Sequence, residues 1–277
     1  MSAMHILRPV RAEIRKATTP MTLTAVVMSA ALASVMQYNA DSRDLGPSLV
    51  DTSGAASIAL FQHAYLIGFV LAGIIAGQMT GTEVSESSIL VTMIAKPHRA
   101  ALTVTKTVAT VITLWLSVIV MWLALIATAT IIETGDGFAN TIGTPWTDTG
   151  IAAAKFTLIA LFLAAFANTI AVWSGSSITP AMTTTAIFIV GLLLHGVAAV
   201  TAADPQLSIG ELTPYEWVNR LMQPEPFGSY TDYIGTAATN RYITRSATLL
   251  ATATLLATAA TALRLFDRAI THPKGSQ

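Results

Sequence analysis

Side chains able to do chemistry are sparse in this chain and concentrate in one stretch. Thr80 to Lys106 holds Glu83, Glu86, Lys96, His98, Arg99 and Lys106. Neither His-Glu-x-x-His nor Gly-x-Ser-x-Gly occurs, and the histidines (His5, His63, His98, His195, His272) are scattered. No Gly-x-x-x-x-Gly-Lys-Ser/Thr is present to cradle ATP phosphates. The chain has no cysteine, which excludes thiol catalysis, disulfides and Cys-ligated metal. The expectation is a chain that is not an enzyme, with no catalytic residue, metal site or cofactor of its own.

The elements that must position this stretch follow from its flanks. Ser57 to Met79 and Thr107 to Ile132 contain no Lys, Arg, Asp or Glu, and runs of this length can cross a bilayer as helices. The whole chain is 53% hydrophobic and 11% charged with a mean hydropathy of +0.62, too apolar for an ordinary soluble domain of 277 residues. The charged insert is then expected in water on one side. Lys96, Arg99 and Lys106 place that side in the cytoplasm, because short cytoplasmic loops collect Lys and Arg. Within the insert, Val84 to Ala95 lacks Gly and Pro and predicts one helix with Val84, Ser88, Val91 and Ala95 along a face. Pro97 stops it. Such a helix offers a soluble partner something to grip.

Six spans are predicted in all: Pro20 to Tyr38, Ser57 to Met79, Thr105 to Ile131, Ile151 to Trp173, Ala181 to Val200 and Ile243 to Leu265. The fold class is all-α, a polytopic membrane protein organised as one transmembrane domain over 1–277. Residues 1–19 carry Arg8, Arg11, Arg15 and Lys16 against Glu13 alone, with Ile6, Leu7, Val10 and Ile14 at helical spacing. They predict a basic amphipathic helix in the headgroup layer. The alternative, a cleaved signal peptide, is weaker because polytopic chains seldom need one. The region 201–243 concentrates Tyr215, Trp217, Phe227, Tyr230, Tyr233 and Tyr242 beside several acids, a composition suited to the external membrane interface. Within it, Pro214 to Met222 predicts a short amphipathic helix begun by its proline.

Charge distribution supports both termini inside. The proposed inner side holds Arg8, Arg11, Arg15, Lys16, Lys96, Arg99, Lys106, Arg264, Arg268 and Lys274 against Glu13, Glu83, Glu86 and Asp267. The outer side holds only Arg43, Lys155, Arg220, Arg241 and Arg245 against all the remaining acids. Lys155, one turn inside the fourth span, is read first as a snorkelling side chain and second as a pathway residue. Gly73-x-x-x-Gly77 in the second span lets another helix approach closely, within the subunit or at a dimer seam. Trp115 and Trp122 share a face and are read as packing or lipid contacts.

An acidic residue just after the second span (Glu83 or Glu86), a short apolar helical stretch (Ile89 to Ala95), the turn Pro97-His98-Arg99 and Lys106 entering the third span stand in order. In this arrangement, inside a six-span layout covering nearly the whole chain, the sequence resembles the integral-membrane permeases of type-2 ABC exporters. Many relatives have a Gly-Thr pair after the acidic residue, where this chain has Ser87-Ser88. The resemblance implies a cytoplasmic coupling region at 80–104 on which an ABC ATPase docks, in two copies for two permease subunits. Glu83, Glu86 and Arg99 would make polar contacts to that ATPase, and Ile89 and Met93 apolar ones, around Pro97 and His98. It also implies an N-terminal interfacial elbow helix and re-entrant helices before the last span. ATP and Mg would be held by the partner, in the cell membrane, with no nucleic acid involved. The expected function is export of an amphiphilic substrate such as a drug, peptide or lipid. The alternatives are a membrane immunity or scaffold protein without transport, and a membrane-embedded enzyme.

Overall fold

The computed structural model describes residues 4–41, 67–89, 99–132, 146–201, 213–222 and 236–271. The described residues are helical, with no strand among them. They form α1 (Met4–Ala17), α2 (Pro20–Asp41), α3 (Ile67–Ser85), α4 (Arg99–Ile132), α5 (Trp146–Ser174), α6 (Thr179–Thr201), α7 (Pro214–Met222) and α8 (Thr236–Thr271). Among the described residues, four apolar stretches are long enough to cross a membrane: Ile67–Ser85, Ala101–Met121, Ala153–Ser174 and Ile243–Leu265. Shorter apolar segments run over Pro20–Ala31 in α2 and Thr179–Leu194 in α6. The protein is thus an all-helical membrane protein.

Local chemistry sets the helix limits. Thr18 and Thr19 separate α1 from α2, and the Thr19 hydroxyl accepts the Thr22 N–H at 3.2 Å, capping α2 one residue before Pro20. Between α5, ending at Ser174, and α6, starting at Thr179, lies a short turn, where the short uncharged run Ser174 to Pro180 predicts one. Gly175 takes φ 63° and donates its N–H to Ala171 O at 3.0 Å, the left-handed cap that glycine allows. The Ser176 hydroxyl then accepts the Thr179 N–H at 3.3 Å and starts α6. Helix α7 covers Pro214–Met222, as expected from its proline.

Helix α5 is the hub. It packs against α3, α4, α6, α7 and α8, and Phe156, Ile159, Leu163 and Ala167 on it are fully buried. Around them lie Phe69, Ile75 and Met79 of α3, Leu114 and Met121 of α4, and Leu250 of α8. Trp115 packs edge-on to Phe156 at 5.1 Å, the packing role expected of it. The outer surface is the reverse of a soluble protein's. Leu255, Leu256 and Leu263 of α8 are 72%, 66% and 67% exposed, and Val27 and Met28 of α2 are comparable. Apolar surface of this kind is covered by lipid at little cost, whereas water would not tolerate so much of it.

Three boundaries differ from expectation. The second apolar run stops at Met79, but α3 continues to Ser85, so Glu83 lies on the same helix. The predicted single helix over Val84 to Ala95 is broken, because the chain turns at Glu86 and Ser87, where Ser87 takes φ 58°. Helix α4 starts at Arg99, before the predicted Thr105. In the first and third cases charged residues were read as lying outside the helices, although helical backbone can carry them where partners neutralise them.

Candidate functional site

The coupling stretch begins in a turn of α3 that is not α-helical. Over Gly77–Gly81 the backbone is π-helical, and the Thr82 N–H reaches back to Gly77 O. Carbonyls in this turn take side-chain donors: the Thr82 hydroxyl donates to Gln78 O, and the Lys106 ammonium to Met79 O at 3.3 Å. The opposite side of the turn has no room for side chains. A Cβ on Gly77 would run into Ser177 O, one on Gly81 into Ser176 O, and one on Gly73 into Pro180 and Ala181. The Gly73-x-x-x-Gly77 spacing therefore serves close packing inside one chain, extended a further turn by Gly81.

Lys106 is the centre of the site. It enters α4 two turns from the start and is 2% exposed. Its ammonium lies 2.8 Å from Glu83 Oε2 and 3.1 Å from Glu13 Oε2. Lys16 closes the ring: its ammonium is 3.2 Å from Glu13 Oε1 and also pairs with Glu83 Oε1. Two lysines and two glutamates from α1, α3 and α4 thus form a neutral quartet. Glu13 is 2% exposed and Glu83 7%, while the Lys16 side chain remains 42% exposed. Burial presses the Lys16 ammonium toward neutrality, but its hydrogen bond to Glu83 and the charges of Glu13 and Glu83 outweigh this, so its pKa is raised above 10.5. Four charges at the edge of an apolar bundle persist because each ion faces opposite charge on two sides.

One turn deeper lies an uncharged layer. The Thr80 hydroxyl donates to Asn168 Oδ1 at 2.6 Å, and the Asn168 amide donates to Thr110 Oγ1 at 3.2 Å and to Ala164 O at 2.8 Å. All three side chains are 0–1% exposed. Below the quartet, toward the turn, Val84 and Ile89 pack with Leu102 of α4, Val172 of α5 and Leu265 of α8. Among the described residues of this knuckle, Ser85, Glu86 and Ser87 are the exposed ones.

The residues singled out from sequence separate accordingly. Glu83 joins Lys106 inside the protein instead of standing in water, because Lys106 and Lys16 together neutralise it. Glu86 is exposed at the turn, Ile89 is 2% exposed within the cluster just named, and Arg99 is the first residue of α4. Met93, Pro97 and His98 lie outside the described residues. Lys155 is half-buried on α5, more than three turns before Asn168, and takes no part in the quartet. Sequence reasoning missed Glu13, Lys16, Thr80, Thr110 and Asn168. The signals were there: Glu13 is the single acid on a basic helix, and Asn168 is the single amide in the fourth span.

Helix α7 holds a second polar group away from the coupling stretch. Glu216 pairs with Arg220 at 2.7 Å, and Tyr215 packs against Gly191 and Phe188 of α6. Tyr215, Val218 and Leu221 are buried against α6 and α8. No protein-family model matches this sequence, nor does any curated protein.

Proposed function

We propose that this chain is the transmembrane permease subunit of an ATP-driven exporter, moving an amphiphilic substrate out of the cytoplasm. In this reading six helices span the membrane, α2, α3, α4, α5, α6 and α8, with both termini in the cytoplasm and α1 as the elbow helix. An ABC ATPase docks at 80–104 and a second permease subunit completes the pathway. The observation that carries the reading is the knuckle at Glu86 and Ser87. It is exposed to a partner, yet its next residues inward, Glu83, Val84 and Ile89, touch α1, α4, α5 and α8. A push on this knuckle moves most of the bundle, as a rigid-body transition requires. Glu86 is the contact available to the ATPase, and Ile89 transmits the load inward. Helix α7, wedged among α5, α6 and α8, is suited to gate the exit.

The test has two arms. A reporter fused near residue 90 should report the cytoplasm, and an external report would end the proposal. Charge reversal at Glu86 together with Arg99 should abolish co-purification with a P-loop ATPase and its export activity. Unchanged association and export would refute the assigned contact.

A further inference from the structure

The π-helical turn Gly77–Gly81 holds one residue more than an α-helix of the same length would. We infer that this turn is a register switch: the segment from Thr80 to Ser87 has a second, fully α-helical arrangement, and Lys106 is the latch that holds the π form. The inference goes beyond the transport reading and its test needs no ATPase.

The geometry defines both states. When a π turn relaxes to α, the surplus residue is taken into the helix and the segment after it turns by about 100° and advances about 1.5 Å. Each residue then takes the place of its successor. Glu83 leaves Lys106, and Val84, now 5% exposed, moves to the position of exposed Ser85. Thr80 leaves Asn168 and approaches the place of Gly81 beside the Ser176 carbonyl. The turn from Ser174 to Thr179 must then give way, which carries the motion into α6. Three contacts oppose the change: Lys106 to Met79 O, Lys106 to Glu83, and Thr80 to Asn168. The first of them is made to a carbonyl of the π turn itself. A pull on the exposed Glu86 and Ser87 is the natural input, since these residues follow the switch directly. The α register is a minor state at rest.

The chain has no cysteine, so single cysteines report cleanly. The full-length protein in nanodiscs carries Val84→Cys, with Ser85→Cys as the exposed reference, and maleimide labelling rates are compared. Lys106→Met with Glu13→Gln removes the latch while leaving Lys16 and Glu83 as a neutral pair. It should raise the Val84→Cys rate about tenfold relative to the Ser85→Cys rate, as the minor state gains population. Deleting Gln78, the one residue of the turn that is not fully buried, removes the surplus residue and leaves Val84 in its present place. In that background the latch substitutions should no longer accelerate labelling. Equal acceleration with and without the deletion would mean simple local opening and would overturn the switch. So would no acceleration in the undeleted chain. If the latch variant does not fold, Thr80→Val, which removes the donor to Asn168, replaces it with the same two outcomes.

Discussion

Replacing Lys106 by methionine tests the quartet most directly. The substitution keeps the length and apolar stem of the side chain and deletes one ammonium that faces Glu83 at 2.8 Å, Glu13 at 3.1 Å and Met79 O at 3.3 Å. It leaves two carboxylates, 2% and 7% exposed, with Lys16 as their shared cation. Breaking a buried ion pair from one side costs about 3–5 kcal/mol, most of it the uncompensated charge left behind. Lys16→Met removes a cation from the same carboxylates, but from a side chain 42% exposed, where water and salt screen the charge and replace the lost contact. That variant should lose at most about 1 kcal/mol. Denaturant unfolding of the purified protein in mild detergent gives both values, and the difference between them should exceed about 2 kcal/mol. Equal losses, or a Lys106→Met loss under about 1 kcal/mol, would refute the quartet as an interior feature. Adding Glu13→Gln to Lys106→Met should recover part of the loss, because residues in one ion network couple and do not add.

Two further outcomes concern the backbone. Ser87→Gly should stabilise the protein by about 0.5–1 kcal/mol, since a left-handed φ of 58° costs a side chain about 1–2 kcal/mol and glycine only part of that in entropy. Ser87→Ala should bring no gain, and equal shifts in the same unfolding assay would contradict the assigned backbone. Gly77→Ala should destabilise by about 1–3 kcal/mol through overpacking against Ser177, against the gain that alanine normally brings inside a helix. Gly150→Ala in α5, with open space around its Cβ, should show that gain, and thermal melts of the two variants decide the signs.

Composition and periodicity determined that this is a helical membrane protein, because the length and apolarity of a span are properties of consecutive residues. They also located the last apolar segment at Ile243–Leu265, the helix Pro214–Met222 and the tight turn before Thr179, each marked by proline, glycine or the edge of an uncharged run. Ser87 takes a left-handed backbone that its residue type does not announce. The polar interior was not legible in this way. Glu13, Glu83 and Lys106 read as solvated charges because each was judged against its neighbours in sequence, whereas the ion pairs that join the three helices lie 23, 67 and 93 positions apart. The π turn was equally hidden, since no residue type announces a surplus residue in a helix. Only tertiary structure brings α1, α3 and α4 together at one depth, and burial there turns four ordinary surface charges into a single neutral unit, because ions leaving water must satisfy one another.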